Sequence, residues 1–249
     1  MSGSNAGGRV HRGGGSLQWT AEGFGWTDLS IADGTRQDGV TAYLRPVMDR
    51  PNLHVVTDAL VHRVVLDGSR CTGVEYSTES DSVIVRCSGE VVLCAGAVGS
   101  PQLLMLSGIG PQDHLSQIDI TTSVHLPGVG ANLQDHAFGI VYQSARPVPT
   151  TVNNHAEMQG LIRSSSRIPG PDLQLTLVDL PLREDSLPGP DIGQGYTIMV
   201  TLMTPFSRGT IGLAGPTPGA SPIINPDRKR SGTRPLAGKR GPLRPGHPR

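Results

Sequence analysis

The apolar positions divide the chain into tracts of different period. Residues 1–18 hold mainly Gly and Ser, with two Arg and one His and no apolar period, which predicts a flexible leader. In EGFGWTDLSI (22–31) large apolar residues alternate with small or polar ones, the period of a strand, and Asp33-Gly34 behind it is a turn signal. Residues 37–44 predict a short helix that Pro46 stops.

The densest β pattern lies between Asn52 and Cys94. LHVVTDALVHRVVLDG supplies two β-rich runs, TGVEYS and SVIVRCS two more, and EVVLCAG ends the series. Asp67-Gly68 makes a hairpin turn, with Ser69 and Arg70 extending the connection. Four or five short strands at this spacing predict an antiparallel meander. Residues 91–95, wholly apolar, predict a closing strand of the kind buried in a parallel sheet. A helix follows, with Ser100 as its cap, Pro101 at its first position and Gly108 ending it in the left-handed conformation. Leu103, Leu104 and Leu106 are its inward residues.

A second short helix is expected from Pro111 through Leu115, and then a Gly-rich turn, HLPGVGANLQDH, that must be held by its surroundings. Across residues 138–225 the runs GIVYQS, DLQLTLV, YTIMVTLMT and GTIGLA, separated by Pro and Gly, predict a second, largely antiparallel sheet. The fold class is mixed α/β of the α+β kind. Its expected divisions are a leader at 1–18, one partial domain at 19–134 carrying the meander, another at 135–225 carrying the antiparallel sheet, and a tail at 226–249.

Composition changes this picture at the ends. Only 36% of the 249 residues are hydrophobic, while Gly and Pro number 33 and 21, so part of the chain is expected to be loop or disorder. Basic and acidic residues balance at 21 each, but the stretch 226–249 holds eight Lys or Arg against one Asp. The body is therefore mildly acidic and the basicity is confined to the tail. Clustered cations can bind phosphates, yet the tail has no aromatic to stack on bases, so nucleic acid is not the expected partner. Three cysteines, none at C-x-x-C spacing, argue against a disulfide framework and a zinc site and suit a reducing cytoplasm. No apolar run approaches the ~20 residues of a membrane span, and the expected location is cytoplasmic.

For chemistry, Ala95, Gly96 and Ala97 form a small-residue loop ahead of a helix, where backbone N–H groups and positive potential can receive a nucleotide. Such units are also common scaffolding. Val61 reads as an ordinary core valine, and Asn132 and Asp135 as residues that stabilise a Gly-rich turn. His114, His125 and His136 recur every eleven residues, an interval that is not a ligand spacing, and no metal site is expected. His136 has no orienting partner in the sequence and is not taken as a base. There is no G-x-S-x-G elbow, P-loop or G-x-G-x-x-G fingerprint.

GAVGSPQLLMLSGIG (96–110) is similar throughout to the second signature of the glucose-methanol-choline (GMC) oxidoreductases, and in particular to choline dehydrogenase-like members. EGFGWTDLSIADGTR, AYLRP, NLHVVTDALVHRVVLDG, TGVEY and LPGVGANLQDH resemble further family segments in the family order. The similarity runs from about Glu22 to Asp135, and more loosely to Pro226. It implies FAD as cofactor, a partial FAD-binding domain followed by a partial substrate-binding domain, and hydride transfer from the CH–OH group of a primary alcohol to the flavin. By position it implies that Val61 meets the adenine through its main chain, that Ala95, Gly96 and Ala97 lie against the cofactor, and that Asn132 sits in a turn near the flavin. The family's pyrophosphate-binding turn and catalytic His have no counterpart here, so no catalytic residue is assigned. The chain is expected to be an internal fragment whose basic tail, 226–249, comes from out-of-frame translation or another gene-model error and is disordered. The competing expectation is a non-catalytic product that at most binds acidic partners through that tail.

Overall fold

The computed structural model describes residues 22–27, 29–79, 81–143, 147, 155–156, 158–182, 186 and 188–227. The expected leader and the tail beyond Asp227 lie outside them. The strands in chain order are β1 (Gly23–Trp26), β2 (Ile31–Ala32), β3 (Thr35–Arg36), β4 (Ala59–Asp67), β5 (Arg70–Thr78), β6 (Asp81–Arg86), β7 (Ile109–Gly110), β8 (Val124–His125), β9 (Phe138–Gln143), β10 (Met158–Ile162), β11 (Leu173–Val178), β12 (Tyr196–Leu202), β13 (Thr210–Gly212) and β14 (Ile223–Asn225). Two α-helices accompany them, α1 (Gly96–Leu106) and α2 (Gln112–Gln117). The chain forms two compact units, Met1–Thr57 with His136–Pro205, and Asp58–Asp135 with Phe206–Arg249.

The first unit is built on an antiparallel sheet in the order β1-β10-β11-β12-β9. The alternation in DLQLTLV is realised in its register. Met158, Leu177 and Ile198 fall in one cross-strand row, and Gln159, Thr176 and Met199 in the adjacent row on the opposite face. The face carrying Thr176, Thr197 and Thr201 is the more buried. Buried hydroxyls require partners, and the Thr197 hydroxyl donates to the Leu180 carbonyl and accepts the Leu182 N–H, both at 2.7 Å. The β10–β11 connection is fixed by buried Asp172, whose carboxylate accepts the Ser164 N–H and hydroxyl, each at 2.6 Å.

Ahead of this sheet, β2 and β3 form a hairpin closed by Asp33 (φ 50°) and Gly34 (φ 72°), both in the left-handed region that tight hairpins need. The helix expected at 37–44 is a π-helical turn, Val40–Leu44. Pro46 does not stop it. The chain continues into a 3₁₀ turn, Arg45–Val47, with Pro46 in its first positions, where a missing N–H costs nothing. The Asp38 carboxylate accepts the Thr41 N–H at 2.7 Å at the start of this segment, and that hydrogen bond holds its pKa below the ordinary value.

In the second unit β4, β5 and β6 form the expected antiparallel meander. The β4–β5 turn is tighter than the sequence suggested, because Asp67 pairs with Arg70 and only Gly68 and Ser69 remain outside the ladder. β7 and β8 pair in parallel across α2, and β13 pairs with β14. The core of the unit joins α1, α2 and β13 through Met105, Leu115, Ile211 and Leu213, all nearly inaccessible.

Two expectations around α1 fail. Residues 91–95 form no strand: no described segment lies alongside to supply a ladder, and Val92 is 75% exposed. A strand exists by its hydrogen-bonding partners, and apolar composition does not replace them. The helix begins at Gly96 with Ala95 as its N-cap, so Ser100 is not the cap and Pro101 lies inside the helix. Gly108 does end it, with φ 77°. The most buried side chain of the helix is Met105, and Leu104 and Leu106 are only half-buried.

Candidate functional site

The start of α1 gathers open main-chain groups. Ala95 supplies no side-chain cap, so the N–H groups of the first turn are not satisfied from within the helix. Gly96 has φ 75°, and nothing lies within 4 Å of where its side chain would stand. Ala95, Gly96 and Ala97 are all exposed. Pro101 has no N–H to give to the Ala97 carbonyl four residues earlier, which leaves an acceptor beside these donors. Donors, an acceptor, positive helix potential and no obstructing side chain suit the backbone to a polar, anionic ligand.

Val61 lies on β4, an edge of the meander opposite Tyr76, and is 37% exposed. The register slips between Val61 and Arg63, so His62 is an inserted residue, and such a bulge re-aims the strand beside it. Main-chain groups on the outer side of an edge strand lack a ladder partner. At Val64 that partner is helical: its N–H donates to the Ser107 hydroxyl at 2.9 Å, which donates in turn to the Leu103 carbonyl at 2.6 Å. This chain ties the end of α1 to β4.

The Gly-rich turn is held as expected. The Ile211 N–H donates to the Gly130 carbonyl at 2.7 Å, and Leu133 and Gly209 exchange hydrogen bonds of 2.9 and 2.7 Å. Gly130 (φ 77°) approaches so closely that an added Cβ would run into the Ile211 carbonyl. Asn132 follows, exposed and also left-handed at φ 63°, a conformation Asn tolerates better than most residues. A cavity of about 310 Å³ opens beside the turn, with Met105, His114, Val129 and Gly130 among its lining residues. Val61, Ala95, Gly96, Ala97 and Asn132 thus all belong to the second unit, on an edge strand, a helix start and a turn.

Two of the regularly spaced histidines have structural work. His114 Nε2 accepts the Leu213 N–H at 3.0 Å, and His125 Nδ1 accepts the Gln112 N–H at 3.1 Å at the start of α2. Among the described residues no group of His, Cys, Asp and Glu has the arrangement of a metal site. Two polar clusters had no signal in the sequence because only the register of the folded chain brings their members together. His155 Nδ1 meets Asp179 Oδ1 at 2.8 Å in the first unit. On the meander, Glu75 accepts from Arg63 at 2.6 Å and from the Ser82 hydroxyl at 3.1 Å. The Arg63 hydrogen bond holds the Glu75 carboxyl below its ordinary pKa, against an opposing effect of burial and with added help from Ser82. The buried hydroxyls of Thr27, Thr122 and Ser207 find no hydrogen-bond partner among the described residues.

The chain is similar to known proteins over most of its length. A GMC-type oxidoreductase of Mycobacterium tuberculosis, itself uncharacterized, is 40% identical over 224 residues, covering 82% of this chain and 42% of that protein. The mitochondrial choline dehydrogenase of Mus musculus is 36% identical over 231 residues, covering 83% of this chain and 38% of its own length. The crystal structure of pyridoxine 4-oxidase from Mesorbium loti superposes with a TM-score of 0.77 at 33% identity, over 86% of this chain and 43% of that one. The chain therefore spans about two fifths of the length of these relatives. Among the described residues no helix is long and apolar enough to cross a membrane. Residues 6–138 match the GMC oxidoreductase family, and the chain belongs to that family, whose cofactor is FAD.

Proposed function

We propose that this chain contributes one wall of the cofactor site of an FAD-dependent oxidoreductase acting on the CH–OH group of a primary alcohol, choline-like or otherwise. The observation that carries the reading is the uncapped start of α1 at Ala95, Gly96 and Ala97, with open space at Gly96. These groups fit the cofactor: exposed N–H donors at a helix start match anionic and carbonyl oxygens, and the open space at Gly96 admits a flat ligand to the backbone. Val61, half-open on its edge strand, would meet the adenine through its main chain, and Asn132 would bound the flavin side.

When bound, the flavin would supply the acceptor for a hydride from the alcohol carbon. The residues of this chain bind and orient. The first turn of α1 would hold the cofactor against the unit, and the Ser107–Val64 hydrogen bond keeps helix and strand in register. No residue of the chain is assigned as the base that takes the hydroxyl proton. The two expected domains, at 19–134 and 135–225, enter the proposal as the cofactor-binding and substrate-binding parts, although the structure groups the described residues before Asp58 with those from His136 to Pro205, and those from Phe206 with Asp58–Asp135; the proposal takes a small-molecule alcohol as partner and the cytoplasm as location. Adding FAD to the purified chain tests the reading. A flavin spectrum that the chain perturbs saturably supports it, bleaching on addition of choline or another primary alcohol extends the support to the activity, and a chain that leaves the spectrum of added FAD unchanged contradicts it.

A further inference from the structure

β6 is the outer edge of the meander, and all six of its residues are exposed, including Val83, Ile84 and Val85. Edge strands are usually blunted by Pro, bulges or inward-facing charges. DSVIVR has no Pro or Gly, and its ladder with β5 runs without a register slip.

The direction of its main chain follows from one bond. The Cys87 N–H donates to the Thr72 carbonyl at 3.0 Å, so by the alternation of antiparallel ladders Val85, Val83 and Asp81 turn their N–H and C=O groups toward β5. Ser82, Ile84 and Arg86 turn theirs outward. The edge is also polar in charge. Glu79 and Asp81 stand at its start, and Arg86 stands at its end beside Arg70, whose guanidinium reaches the Ser88 carbonyl at 3.2 Å.

We propose that this edge pairs with the same edge of a second copy of the chain, antiparallel about a two-fold axis through Ile84. Only registers that oppose outward-facing residues complete a ladder. With Ile84 opposite its own symmetry mate, Ser82 faces Arg86 of the second copy, and Val83 faces Val85 in the close, non-hydrogen-bonded position. The acidic start of each strand then lies along the basic end of the other, and Arg86 enters the field of the Glu75 carboxylate that already accepts the Ser82 hydroxyl. Parallel pairing would set like charges side by side. The two meanders become one six-stranded sheet with β6 no longer an edge. A single ladder is smaller than a standard interface, so the association is weak, with a dissociation constant on the order of 10–100 μM.

Sedimentation equilibrium of the full chain over a concentration series tests this. The wild type reaches dimer and goes no further. Ile84→Pro deletes only an outward N–H and leaves the β5 ladder intact, so association weakens at least about tenfold. Arg86→Glu makes the edge acidic at both ends, and Glu79→Lys with Asp81→Lys makes it basic at both ends. Each variant alone loses association, and an equimolar mixture of the two regains it, which a merely damaged fold would not do. A wild-type chain that stays monomeric at every concentration, a dimer that Ile84→Pro leaves unchanged, or a mixture that stays monomeric overturns the proposal.

Discussion

Replacing Gly130 by Ala perturbs the turn that carries Asn132 at the point where the backbone leaves no room. Gly130 has φ 77°, and an added Cβ would run into the Ile211 carbonyl while the Ile211 N–H is bonded to the Gly130 carbonyl at 2.7 Å. A left-handed conformation costs a non-glycine residue about 1–2 kcal/mol. Relieving the clash requires the two backbones to separate, and the lost hydrogen bond adds about 1 kcal/mol. The opening free energy of the turn should therefore fall by about 2–3 kcal/mol, a factor of roughly 30–150 in the opening equilibrium. Native-state hydrogen exchange at the Ile211 amide reads that factor directly. Gly128, two residues earlier, has no neighbour within 4 Å of an added Cβ and no left-handed φ, so Gly128→Ala should change exchange by less than about 0.5 kcal/mol. Equal protection in Gly130→Ala and Gly128→Ala would refute the claim that close approach to β13 holds the turn.

Two further substitutions test the electrostatics of each unit. Asp172→Ala removes the acceptor of two 2.6 Å hydrogen bonds from Ser164 and should cost about 2–3 kcal/mol in urea unfolding, with Asp172→Asn recovering part of it; a loss below about 0.5 kcal/mol would remove the β10–β11 connection from the account. Glu75 has a folded pKa below its ordinary value because of Arg63, so its contribution is present above the unfolded pKa and is lost as pH falls through the folded one. Arg63 is half-exposed, so solvent screens the pair and it contributes only about 0.5 kcal/mol. Stability measured from neutral pH down through the carboxylate range should therefore decline slightly less in Glu75→Gln than in the wild type, and a steeper decline in the variant would reverse the assignment.

The parts of the fold that were legible in the sequence are those whose cause is local. Asp33-Gly34 makes its hairpin because both residues accept positive φ, Gly108 ends α1 for the same reason, and DLQLTLV alternates because the period of a strand is two. The misreadings arise where a distant partner decides. Residues 91–95 have the composition of a buried strand and no neighbour to pair with. Ser100-Pro101 has the chemistry of a helix start, but Gly96 can take φ 75° and open the helix one turn earlier. Met105 outranks Leu104 and Leu106 because the core it enters is completed by Ile211 and Leu213, about a hundred residues away. In the candidate site, Ala95, Gly96 and Ala97 were visible as a small-residue loop, whereas the exposure of Val61 and the left-handed Asn132 required the edge strand and the β13 contact.

The central claim is that the start of α1 receives the cofactor, and FAD titration of the full chain, followed by quenching of flavin fluorescence, tests it most directly in parallel with Ala97→Glu. A carboxylate in the first turn favours the helix itself and repels an anionic ligand, so the fold is kept while the site is spoiled. The account predicts saturable, weak FAD binding by the wild type and at least a tenfold loss in Ala97→Glu with unchanged circular dichroism, a difference of about 1.4 kcal/mol. Equal affinity of the two proteins, or no saturable binding by the wild type, would contradict it.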